Sequence, residues 1–165
     1  SVLATMGRFE EAITLLPSDR PKTRDEWIAY HVRAMILLRQ GEVEEAMLCF
    51  RIGISENPFA NDRKYFRNAL AVATLRRNRP DDALPLLSED SDPMTRVLKI
   101  HACASMNRLD KARRAYSSLS VACPPVLINL RDELAAQYSI VGAKPRYNWD
   151  WVFEEECKGL FLLAA

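Results

Sequence analysis

A six-residue phrase recurs along this 165-residue chain and restricts its fold more than any other feature. It reads Gly7-Arg-Phe-Glu-Glu-Ala12, Gly41-Glu-Val-Glu-Glu-Ala46, Asn78-Arg-Pro-Asp-Asp-Ala83 and Asn107-Arg-Leu-Asp-Lys-Ala112, with a degenerate fifth occurrence at Gly142. The leading residues stand 34, 37, 29 and 35 positions apart. Self-similarity at a period of about 20–50 residues marks a stack of supersecondary units, because one unit cannot bury its apolar face alone and relies on its neighbours.

Each residue of the phrase has a physical task. Gly or Asn tolerates the left-handed backbone that ends a helix, and the acidic residues after it suit the start of the next. The alanine is small enough for two antiparallel helices to approach closely where they leave the turn. Apolar periodic stretches precede the turns at 27–39, 65–77, 94–106 and 126–141. In the clearest unit, Ile28, Val32, Met35 and Leu38 lie at helical spacing before the turn, and Val43, Ala46, Met47, Phe50 and Ile54 after it. Asn57-Pro58 closes this unit, since proline disfavours helix in the residue before it. The spacing therefore predicts an all-α chain of helix-turn-helix units.

The second unit, with Tyr30, Arg33, Ala34, Leu37, Ala46, Phe50 and Pro58, resembles the tetratricopeptide repeat, whose pattern runs W-x2-L-G-x2-Y, A-x3-F, P. Arg33 departs from the chemistry of that pattern. The third unit keeps Leu70, Ala71, Ala83 and Leu87 but has Arg67 in the aromatic place. The fourth keeps Ala112, Tyr116 and Pro124, with Arg96 and Lys99 at normally apolar places, and the fifth keeps Leu134, Ala135 and Tyr138. The resemblance implies a right-handed α-α superhelix of about five units over residues 1–142, with first helices lining the concave surface. Residues 10–19 echo residues 81–90, so alternate units are expected to have short second helices and the superhelix to curve unevenly.

Ser1 to Met6 is expected to be the end of a first helix whose beginning lies upstream, which truncates the first unit. Residues 143–165 are read as a linker and a terminal amphipathic helix. In it Trp149, Val152, Phe153, Leu160 and Phe161 recur against Glu154, Glu155, Glu156 and Lys158. Such a helix caps the last unit, or its aromatic face docks elsewhere, in the groove or on a second copy.

Composition excludes several function classes. The 23 basic and 22 acidic side chains nearly cancel, so no global field recruits nucleic acid or an anionic membrane. No apolar run is long enough to span a bilayer. Cys49, Cys103, Cys123 and Cys157 are widely separated and joined only by His31 and His101, which indicates neither zinc nor a disulfide framework. Dispersed cysteines in apolar helices suit a reducing compartment, and a cytoplasmic location is expected. No phosphate-binding loop or nucleophile–base pairing is marked, so the chain is read as a non-enzyme without cofactor or metal.

The densest charge feature is Arg63, Lys64, Arg67, Arg76, Arg77 and Arg79, followed by Asp81, Asp82, Glu89, Asp90 and Asp92. It is either a grip for an acidic group or, as favoured here, a solvated face partly neutralised by the acidic run. The resemblance places His31, Met35, Ala69, Met94 and Leu98 where chaperone-tail-binding arrays keep a carboxylate clamp, so that clamp is absent. The expected contacts with a partner polypeptide are Ile28, His31, Met35, Leu38, Arg39, Tyr65, Val72, Leu75 and Arg76 on the first helices, with Trp149 and Phe153 on the terminal one. The expected function is a protein-interaction scaffold with a protein or peptide partner, self-association through the terminal helix being open. The alternatives are a sensory or autoinhibitory segment of a larger signalling ATPase or transcription regulator and, with less support, an RNA-binding helical repeat.

Overall fold

The computed structural model describes residues 11, 20–88, 92–119, 127, 128, 131, 132 and 135. The turns expected at Gly7 and Gly142, the truncated first unit and the terminal helix with Trp149 and Phe153 lie outside these. The described residues contain no strand and include six bounded α-helices: α1 (Arg24–Gln40), α2 (Val43–Glu56), α3 (Arg63–Arg76), α4 (Pro80–Ala83), α5 (Pro93–Ser105) and α6 (Leu109–Leu119). Two 3-10 segments, Ala60–Asp62 and Leu84–Leu87, complete the set. Each helix packs on the next along the chain, and the first helices also meet across units, α1 on α3 and α3 on α5.

The recurring turn residues do what their chemistry allows. Gly41, Asn78 and Asn107 all have positive φ, at 94°, 59° and 57°. Each sits in the same pair of backbone hydrogen bonds. Gly41 and Glu42 donate to the carbonyls of Leu38 and Leu37, Asn78 and Arg79 to Leu75 and Thr74, and Asn107 and Arg108 to Ala104 and Cys103. These are Schellman closures, which satisfy carbonyls that a helix end otherwise strands. Five residues after each turn residue, Ala46, Ala83 and Ala112 are fully buried, as the close helix approach demands.

The first helices start earlier than their apolar periodicity, because caps rather than core residues set their ends. Thr23 accepts from the Glu26 amide while the Glu26 carboxylate accepts from the Thr23 amide, a reciprocal capping box that begins α1 at Arg24. Asp92 accepts from the amides of Met94 and Thr95 with Pro93 at the first helical position, which begins α5. The expected short second helix of the third unit is present. Where α2 runs for 14 residues, α4 has four and passes into a four-residue 3-10 segment that contains Pro85. Proline has no amide to donate to the helix ladder, and the chain tightens there.

Between units the core is aromatic. Trp27 meets Tyr30 and Phe66 edge to face at 5.6 and 5.9 Å, and His31 meets Phe66 at 5.0 Å and Phe50 at 5.8 Å. The α2–α3 crossing is so close that a Cβ at Gly53 would overlap the Phe66 ring. Polar bonds lock the same seam. Arg24 donates to both carboxylate oxygens of Asp62 at 2.7 and 2.9 Å, a two-pronged pair between the starts of α1 and α3.

Candidate functional site

The first-helix residues expected to touch a partner divide by their place in each unit. Ile28 and Tyr65 are 37 positions apart, as are Arg39 and Arg76, and so are the turn residues Gly41 and Asn78. The two pairs therefore occupy equivalent places on α1 and α3. Ile28 and Tyr65 are half-buried near the starts of these helices, Arg39 is half-buried near the end of α1, and Arg76 is exposed at the end of α3. From Ile28 to Arg39 the helix rises about 16 Å, at about 1.5 Å per residue. The accessible part of this face is thus an apolar and aromatic edge at one end and a guanidinium edge at the other.

What lies between is core. Met35 and Leu38 are 1% and 3% exposed, Val72 and Leu75 are 3% and 5%, and His31 is fully buried. The sequence placed these five on the groove surface. The structure packs them against neighbouring helices, because positions on the first helix that point toward the next unit are shielded wherever first helices touch. A charge at Met35 or Leu38 would therefore unfold the array instead of probing its surface.

His31 is a structural histidine. Its Nε2 lies 3.2 Å from the Tyr65 carbonyl oxygen, which can only accept, so Nε2 carries the proton and donates. Nδ1 has no hydrogen-bond partner, and burial pushes the imidazole down to about 4, against which the bond to Tyr65 works only partly. The equivalent residue of the next unit is Asn68, also buried and also reaching forward, to the Asp92 carboxylate at 3.3 Å and the Thr95 hydroxyl at 2.9 Å. One place in the repeat thus serves as an inter-unit polar tie in both units. His101 on α5 is also held down to about 4 by burial.

The basic run is largely consumed by the fold. Arg63 donates to the Asn57 carbonyl at 2.6 Å and Arg76 to the Leu38 carbonyl at 2.5 Å, each closing the end of a preceding helix. Arg77 pairs with Glu44 of the preceding unit, and Arg79 with Asp82 at 2.8 Å. Lys64 lies 5.1 Å from the centre of the Tyr65 ring. The neutralisation expected from the acidic run holds at Asp82, while Glu44, which the sequence did not single out for this, supplies the other partner.

Among the described residues no group of His, Cys, Asp and Glu could hold a metal ion, and no helix is long and apolar enough to cross a membrane. Cys49 and Cys103 are free thiols, and burial pushes the Cys103 thiol up, away from the reactive thiolate. A tetratricopeptide repeat family model matches residues 27–47, the span from within α1 through the Gly41 turn into α2. No curated protein and no solved structure matches the chain.

Proposed function

We propose that this tetratricopeptide-type repeat protein holds a partner polypeptide across the face of its first helices, using Ile28 and Tyr65 at one edge and Arg39 and Arg76 at the other. Repeats of this type serve protein–protein interaction in general and are typically non-enzymatic scaffolds. The observation that supports this particular face is the duplication of the two pairs at the 37-residue interval between turns. A partner that runs across α1 and α3 meets an aliphatic and then an aromatic contact at one edge and two guanidiniums at the other, Arg76 keeping one nitrogen on the Leu38 carbonyl. An amphipathic segment with carboxylates on one side and apolar residues on the other fits that arrangement.

The experiment is site-directed photocrosslinking in extract of the native cell. A crosslinking amino acid is placed at Ile28 and, as control, at Leu48, which is 55% exposed on α2. A discrete polypeptide adduct from position 28, absent from position 48 and reduced by Arg39→Glu, is expected. An adduct that ribonuclease removes, or equal adducts from both positions, would overturn the proposal.

A further inference from the structure

A cavity of about 410 Å3 opens on the opposite side of the α2–α3 seam, where the second helix of the third unit is cut short. Its volume falls in the range of ligand pockets, about 300–1,000 Å3. The floor is formed by the buried side chains of Met47 on α2 and Leu70 and Thr74 on α3, with Leu86 of the 3-10 segment beside them. The rim carries Arg51, Arg77 and Arg79, against the two carboxylates Glu44 and Asp82. Those carboxylates are engaged by Arg77 and Arg79. Arg51, exposed on α2, has no carboxylate partner among the described residues.

The cause is local. Where α2 runs for 14 residues, α4 has four, with Pro80 at its start, and Pro85 lies in the 3-10 segment that follows and takes its amide out of the helix ladder. The groove is therefore walled by α2 of one unit and by α3 and the 3-10 segment of the next, and its lining shares no residue with Ile28, Tyr65, Arg39 and Arg76.

We infer that this cavity is a second docking site, taking an acidic polypeptide segment that seats an apolar side chain on Met47 and Leu70 and lays a carboxylate on Arg51. Charge complementarity selects the partner's sign, since the lining has three guanidiniums and two carboxylates. A guanidinium engages a carboxylate through two parallel hydrogen bonds, which fixes direction as well as charge. The exposed pairs at Arg77 and Arg79 exchange partners at little cost, because surface ion pairs contribute little. The lining offers no aromatic ring on which a base could stack, which favours peptide over nucleic acid.

The test is selection of a random peptide library of about twelve residues on the full chain. Enrichment of sequences with Asp or Glu beside a large apolar residue is expected. The selected peptides should move the Met47 methyl resonance, bind Arg51→Glu at least tenfold more weakly, fail on Leu86→Trp, which fills the cavity, and bind Arg39→Glu unchanged. Arg51 is exposed, so its variant should melt with the parent. Selection that yields no acidic-apolar sequences, or peptides that bind Arg51→Glu as tightly as the parent, would overturn the inference. Peptides lost on Arg39→Glu and retained on Arg51→Glu would do the same, and would assign the binding to the first-helix face.

Discussion

His31 shows how single residues hold the units together and what that holding implies. In the unfolded chain its imidazole takes the ordinary value of 6.5, and in the folded chain burial keeps it at about 4. Above pH 6.5 it is neutral in both states and folding is unaffected. Between 6.5 and 4 the unfolded chain binds a proton that the folded chain refuses, so stability falls with pH and levels off below 4. His101 adds the same slope. The loss has an upper bound of the order of 3 kcal/mol per histidine. Denaturant unfolding between pH 6.5 and 5 should show this decline, and His31→Phe should remove about half of it, leaving the part due to His101; an unchanged slope would mean that the His31 imidazole is not shielded from protonation. Gly53 offers a second residue-scale test. Alanine favours helix, yet its methyl would overlap Phe66, so Gly53→Ala should lower stability by about 1–3 kcal/mol, the cost of overpacking. A stabilised variant would show that Phe66 moves aside freely. Neither feature could be read in the sequence. Gly53 lies mid-helix in an ordinary apolar pattern, and its necessity comes from a residue 13 positions away in the next unit. The turns, by contrast, were legible because backbone sterics at Gly41, Asn78 and Asn107 depend on no neighbour.

At the level of elements, helix ends were less legible than helix centres. Apolar spacing marks the buried stripe, whereas Thr23 with Glu26, and Asp92 with Pro93, decide where α1 and α5 begin. Asp92 does more than cap. Its second carboxylate oxygen accepts from Thr95 at 3.0 Å and from Asn68 of the preceding unit, so one side chain starts α5 and ties it to α3. Asp92→Ala should therefore cost more than the roughly 1 kcal/mol typical of a lost cap, because it also takes the carboxylate from the buried Asn68 amide nitrogen, while the Thr95 hydroxyl keeps Asn68 Oδ1 as acceptor. Thermal melting of Asp92→Ala beside Thr23→Ala, an ordinary capping-box change, measures the difference; equal losses would reduce Asp92 to a cap. The short α4 was foreshadowed by the echo between residues 10–19 and 81–90, but the cavity beside it was not. A cavity requires α2 and α3 as walls, and no single segment encodes that.

Across the whole molecule, the repeat architecture was legible because each unit restates the same local rules, and the family match at residues 27–47 falls on the unit that restates them best. The proposed binding face was only half legible. Placing residues on first helices follows from the period, but exposure depends on how closely successive first helices stack. That stacking withdrew His31, Met35, Leu38, Val72 and Leu75 into the core and left Ile28, Tyr65, Arg39 and Arg76 at the edges. The charged run illustrates the same dependence: Arg63 and Arg76 close helix ends, and Arg77 bridges to the preceding unit, which a linear sequence does not display. The edge residues are the ones proposed to hold the partner. The most direct test is the affinity of the polypeptide captured at position 28 for the parent chain, for Arg39→Glu with Tyr65→Ala, and for Arg51→Glu on the other side. A loss of at least tenfold, about 1.4 kcal/mol, is predicted for the double variant, with none for Arg51→Glu. Unchanged affinity in a double variant that melts with the parent would contradict the assignment of this face.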